Sequence, residues 1–362
     1  MDFFDYYYIE IIVFGAGLLA LGVVVGAVIF ALRFLRARKG LSGSDSRTRD
    51  LDIFSSREDS LSQLFFLLSL LFSGVTLSVF NDRTGNYFSW QWIILIISIG
   101  GLIISYRFKA ILILPLSLLG GIFWWTMKAT DWVDHYDLKE IALFIFPLVL
   151  ALVFYVTGKI HKIEERHKKS AAVYSVFSVI FVTAGLFLAS TEFGLEIFQQ
   201  ATEGNFFLAS WQFILTFAFV FLALIIGLIA GWLKKTLVFW EIAAILGYAT
   251  IFALILFLSD VKGQEGEFGL DINMFWAGFF NIFLLGHLIL MLLAGHFRRE
   301  EWLINLASFS LFAFIFIKYF DWFFDFIDKS IFFISAGILL LVLGWLMEKG
   351  RRYMISASKH TT

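Results

Sequence analysis

Three polar side chains stand out because the residues around them are almost all apolar: Glu241, His287 and Asn305. A carboxylate next to an imidazole can share a proton, and such pairs serve as relays inside transporters. Glu241 falls about five residues into the apolar run 236–258, roughly 8 Å deep at the rise of a helix, and His287 lies about eight residues before the end of the run 274–295, roughly 12 Å deep. Consecutive antiparallel spans would bring the two to similar depth, where they can meet, with Asn305 joining from the next span. The competing reading turns Glu241 to headgroup water beside Trp240 and Lys235 and leaves His287 bonded to a carbonyl or Asn within the bundle. The shallow position of Glu241 favours it.

Other residues suggest more limited chemistry. Pro115 and Pro147, the only prolines, both fall inside apolar runs, where each would remove an i to i−4 hydrogen bond and kink its helix. Asp321, Asp325 and Asp328 recur at i, i+4 and i+7 in KYFDWFFDFIDK, one face of an amphipathic helix lying in the membrane interface. Three aligned carboxylates can hold a hard cation such as calcium, but a solvated polar face is the simpler expectation. Asp131, Asp134, His135 and Asp137 crowd together in DWVDHYDLKE without diagnostic ligand spacing. No metal site and no cofactor is therefore expected.

The elements that would position these groups are apolar helices. The chain has 362 residues, of which 60% are hydrophobic and only 16% charged, with a mean hydropathy of +0.86, more apolar than a water-soluble fold can bury. Its charges collect between apolar runs of roughly 17 to 24 residues, the length that crosses a hydrocarbon core. These runs lack the alternation of a transmembrane barrel. The expected fold is all-α, a polytopic helical transmembrane bundle of about eleven spans: 9–32, 63–80, 90–106, 110–127, 141–157, 171–190, 210–232, 236–258, 274–295, 302–319 and 330–347.

Charge supports that count. With the spans taken alternately, Arg33 to Arg57, Arg107, Lys109, the cluster 159–169, Lys234, Lys235, Arg298, Arg299 and the tail from Lys349 fall on one side. Only Arg83, Lys128, Lys139, Lys262, Lys318 and Lys329 of the 28 basic residues fall on the other. The positive-inside tendency then predicts N-terminus outside and C-terminus cytoplasmic. The organisation expected is a first helix with a basic flank over 1–39, a polar cytoplasmic linker over 40–62, a bundle of about ten spans over 63–353 and a short tail over 354–362. Within the first helix, Gly22 and Gly26 form a small-xxx-small step suited to close helix approach.

Absent motifs narrow the function. With no cysteine, disulfides, thiolate zinc sites and iron–sulfur ligation are excluded. A P-loop, HExxH, GxSxG and a dinucleotide fingerprint are all missing, which removes support for ATP-driven pumping and common hydrolytic chemistry. The basic clusters follow from topology and anionic lipid, without nucleic acid.

Two stretches, NLASFSLFAFIFIKYFDWF at 305–323 and SIFFISAGILLLVLGWLMEKGRR at 330–352, resemble a bacterial family of multi-spanning membrane proteins known as domain of unknown function number twenty-one fifty-seven. The resemblance covers about 274–353 and implies a bacterial inner-membrane protein. It brings no substrate, cofactor or catalytic residue. Two expectations of function follow. One is a secondary transporter or channel for a small solute or ion. The other is a non-catalytic membrane scaffold or assembly factor presenting acidic outer loops to a protein partner, or associating with itself.

Overall fold

The computed structural model describes residues 57–85, 87–164, 167–191, 194–195, 210–258, 272–323 and 329–360. The chain divides into two units, Met1–Asp52 and Ile53–Thr362, and all described residues belong to the second. The expected first span and its Gly22 and Gly26 lie outside them, as does most of the linker.

Among the described residues the fold is all-helical, without strands. Its helices are α1 (Arg57–Arg83), α2 (Trp90–Phe108), α3 (Ile113–Tyr136), α4 (Ile141–His161), α5 (Lys168–Ser190), α6 (Trp211–Leu233), α7 (Phe239–Leu258), α8 (Ile272–Arg298), α9 (Glu301–Phe323) and α10 (Lys329–His360). Nine of these ten are long and apolar enough to cross a membrane. The exception is α3.

Expected and observed boundaries differ most around α3. The sequence predicts a span over 110–127, but Lys109 takes a left-handed conformation that ends α2, and α3 starts only at Ile113. It then continues through KATDWVDHY to Tyr136, where Asp137 provides a second left-handed cap. Polar residues can extend this helix because Thr126 and Thr130 donate to the carbonyls of Ile122 and Thr126, while Lys128 pairs with Asp131 at 3.0 Å. Ala129 and Val133 meanwhile remain buried. At the other end of the expected linker, α1 already begins at Arg57, so 57–62 is helical and not a tether.

The helices alternate in direction. Contacts tie the C-terminal ends of α2, α4, α8 and α10 to the N-terminal ends of α5, α7 and α9, as when Tyr106 meets Tyr174, Lys159 meets Glu241 and Asn305 meets Arg351. We call this the basic end. At the opposite end Gln91 and Gln212, which open α2 and α6, reach Asp131 and Tyr136 at the close of α3.

The interior centres on α4 and α5, the most enclosed pair. Close approach there depends on small residues: a side chain at Gly158 would meet the Ala171 carbonyl and Ser175, and Ser178 donates to the Ala151 carbonyl at 2.6 Å. Outside this seam, Trp125 stacks on Phe146 at 3.5 Å between ring centroids, with Phe213 edge-on. By contrast α1 and α10 expose nearly their whole circumference, including Phe65, Phe72, Leu341 and Trp345. Such surface calls for hydrocarbon or another helix around it.

Candidate buried charge cluster

Among the described residues the densest polar chemistry lies at the basic end, where three helix ends converge. Glu241 is in the first turn of α7. Its Oε2 accepts the backbone N–H of Val238 at 2.9 Å, half of a capping box that satisfies one of the donors left free at a helix start. Oε1 faces two cations, Lys159 from the last turn of α4 at 3.7 Å and Arg298, the last residue of α8, with which it forms an ion pair.

Aromatic groups enclose the cluster. Arg298 Nη1 donates to the Tyr155 hydroxyl at 2.8 Å, and its guanidinium lies 4.9 Å from the Trp240 ring. Lys159 Nζ sits 5.1 Å from the Tyr155 ring. Glu241 is only 3% exposed and Lys159 only 8%. At the rim, Lys162 and Glu300 approach to 3.7 Å, with Lys162 well exposed. One buried cation, Lys159, and one partly buried cation, Arg298, therefore share one buried carboxylate. Removing that carboxylate would leave uncompensated charge away from water, the arrangement that costs most.

His287 belongs elsewhere. Its Nε2 lies 2.9 Å from Thr183 Oγ1 and its Nδ1 2.6 Å from the Tyr248 hydroxyl. Thr183 donates its own hydrogen to the Val179 carbonyl at 2.7 Å, so its oxygen accepts from Nε2–H and Tyr248 donates to Nδ1. All three groups are satisfied, and together they join α5, α7 and α8.

Glu241 and His287 are thus not brought together. Depths counted from the apolar run ends at Thr236 and Gly295 mislead, because α7 begins at Phe239 and α8 continues to Arg298. Glu241 therefore sits roughly 3 Å inside its helix and His287 roughly 16 Å inside the next. Nor does Glu241 turn to headgroup water, because basic side chains from two other helices enclose it.

The remaining sequence candidates separate. Asn305 accepts from Arg351 Nη1 at 2.8 Å, while Arg351 also forks onto Glu348, so Asn305 belongs to the α9–α10 contact. Pro115 occupies the first turn of α3, where its missing N–H removes no helical bond, and the kink expected there has no basis. Pro147 is in the interior of α4. Asp321 continues α9 instead of starting a separate interfacial helix, and Asp325 and Asp328 lie outside the described residues.

A second polar cluster has no counterpart among the sequence expectations. The Tyr106 hydroxyl lies 3.0 Å from that of Tyr174 and 3.2 Å from His161 Nε2, while His161 Nδ1 is 2.8 Å from the Thr157 carbonyl. A carbonyl only accepts, so Nδ1 carries a proton. The charge cluster does leave a trace in the sequence: Tyr155 and Lys159 are spaced i, i+4 at a helix end, and Arg298 ends an apolar run. By position alone, both cations read as loop charges.

Comparison with protein-family models, with characterised proteins and with solved structures finds no match to this chain.

Proposed function

We propose that this chain is a multi-pass protein of the bacterial inner membrane that acts as a secondary transporter or channel for a small solute or ion. In this reading the first apolar run and the ten described helices make about eleven spans, N-terminus outside and C-terminus cytoplasmic, with the basic end on the cytoplasmic side. Charge asymmetry supports that orientation. The resemblance over 274–353 supports the bacterial assignment.

The observation that carries the proposal is the buried Lys159–Glu241–Arg298 cluster. Ionisable groups inside membrane spans are costly and mark solute or ion pathways, and these three come from three separate helices. An ion pair that locks helix ends together can hold such a pathway closed and release it when the helices part. The role expected of a Glu241–His287 proton pair passes to this lock, with His287 as a tie deeper in the bundle.

Proteoliposomes containing wild-type protein or Glu241→Gln test the proposal, read by entrapped pH-sensitive and potential-sensitive dyes. Wild type should carry gradient-driven flux above empty vesicles, and the variant should change its rate. Flux equal to that of empty vesicles for both proteins would instead favour the scaffold reading. Two surface grooves among the described residues, one lined by Tyr106 and Arg107 and one by Asn81 and Trp90, have neither Glu241 nor His287 in their lining.

A further inference from the structure

A groove of about 510 Å³ opens beside the end of α2, lined by Leu102, Ile103, Tyr106, Arg107 and the His167 that precedes α5. Along α2 its lining changes over a single turn. Leu102 and Ile103 are followed four residues on by Tyr106 and Arg107, about 6 Å further along the axis. Ile103 is 63% exposed, so the apolar wall faces outward from the bundle.

Arg107 is exposed and has no partner among the described residues. His167 closes the other side, its Nε2 3.5 Å from Glu164, whose side chain is largely exposed. A guanidinium on one side and an imidazole on the other thus flank a trough with an apolar wall.

We infer that this groove binds the phosphate-bearing headgroup of an anionic phospholipid, with the phosphate on Arg107 and His167 and the acyl chain along Leu102 and Ile103. Arg suits phosphate because its planar fork donates two parallel hydrogen bonds. Basic pockets between helices at a membrane face commonly take such headgroups. The apolar wall selects lipid over a free anion, which would gain nothing from Ile103. The inference rests on the proposal that the chain spans a bilayer.

Native mass spectrometry of the full chain, titrated with phosphatidylglycerol, phosphatidylcholine or inorganic phosphate, tests it. Arg107→Gln should weaken phosphatidylglycerol binding about tenfold, the loss of one charge-assisted contact. His167→Asn should weaken it in the same direction. Lys109→Asn removes an equal charge two residues away, outside the groove, at a left-handed position that Asn tolerates. It should leave binding within about twofold.

Equal losses from Arg107→Gln and Lys109→Asn would show diffuse attraction and overturn the site. Displacement of the lipid by inorganic phosphate would do so too, as would phosphatidylcholine binding as tightly. A chain that stays in the aqueous fraction and does not enter lipid nanodiscs would defeat the membrane reading, and this inference with it. Failure of the site alone would leave nanodisc incorporation intact.

Discussion

Arg298, partly buried at the end of α8, forms an ion pair with the buried Glu241 in the first turn of α7, and Lys159 approaches the same carboxylate from α4. The three side chains together fasten three helix ends at one level. Breaking the pair from one side strands charge of the other sign. Glu241→Gln should therefore destabilise the chain by about 3–5 kcal/mol, seen as a lower unfolding temperature in detergent. Replacing Glu241 and Arg298 together with apolar residues should cost less than the sum of the single changes. Strict additivity would show that the two side chains are not coupled.

The His287 tie gives a second expectation. Tyr248→Phe removes the donor to Nδ1 and leaves a buried acceptor unsatisfied, a loss of about 1–3 kcal/mol. Because Tyr248 and His287 act through one hydrogen bond, a double-mutant cycle with His287→Leu should return a coupling of at least about 0.5 kcal/mol. A coupling of zero would mean that the tie does not form.

Helix packing predicts opposite outcomes for two glycines. At Gly158 a Cβ would lie 2.9 Å from the Ala171 carbonyl and 2.7 Å from Ser175 Oγ, whereas at Gly121 it would meet nothing within 4 Å. Gly158→Ala should force α4 and α5 apart and cost about 1–3 kcal/mol. Gly121→Ala should be neutral or stabilising, by up to about 1 kcal/mol from helix propensity. Thermal unfolding of the two variants side by side checks the contrast.

The absence of cysteine makes topology directly measurable. Ser358→Cys, in the basic tail, should be shielded from a membrane-impermeant maleimide in intact cells and labelled after lysis. Ser259→Cys, beyond the far end of α7, should be labelled in both. The reverse pattern would invert the proposed orientation.

Much of the architecture was legible in the sequence because hydrocarbon imposes a single length scale on spans: the run starting at Trp90 and the one starting at Ile141 coincide with the starts of α2 and α4. Where composition is mixed that scale fails. Residues 128–136 look like a polar loop yet extend α3, because Ala129 and Val133 supply a buried face that a hydropathy average dilutes. The site was only half legible. Glu241 is conspicuous because its neighbours are apolar, but Lys159 and Arg298 resemble ordinary flanking charges, and only tertiary packing turns them inward. His287 is equally conspicuous, but its partner is not readable, since a few residues of error at helix ends become more than a helical turn of relative depth.

A lock formed by Lys159, Glu241 and Arg298 at one end of a solute path is testable without knowing the solute. Ile245, one turn beyond Glu241 on α7, is 5% exposed. A cysteine there should react slowly with a small water-soluble methanethiosulfonate in otherwise wild-type protein. In combination with Glu241→Gln its labelling should accelerate by about tenfold or more, matching a loss of at least about 1.4 kcal/mol of closing energy. Equal, slow labelling of Ile245→Cys in both backgrounds, while Ser358→Cys labels readily after lysis, would contradict the lock and the transport function built on it.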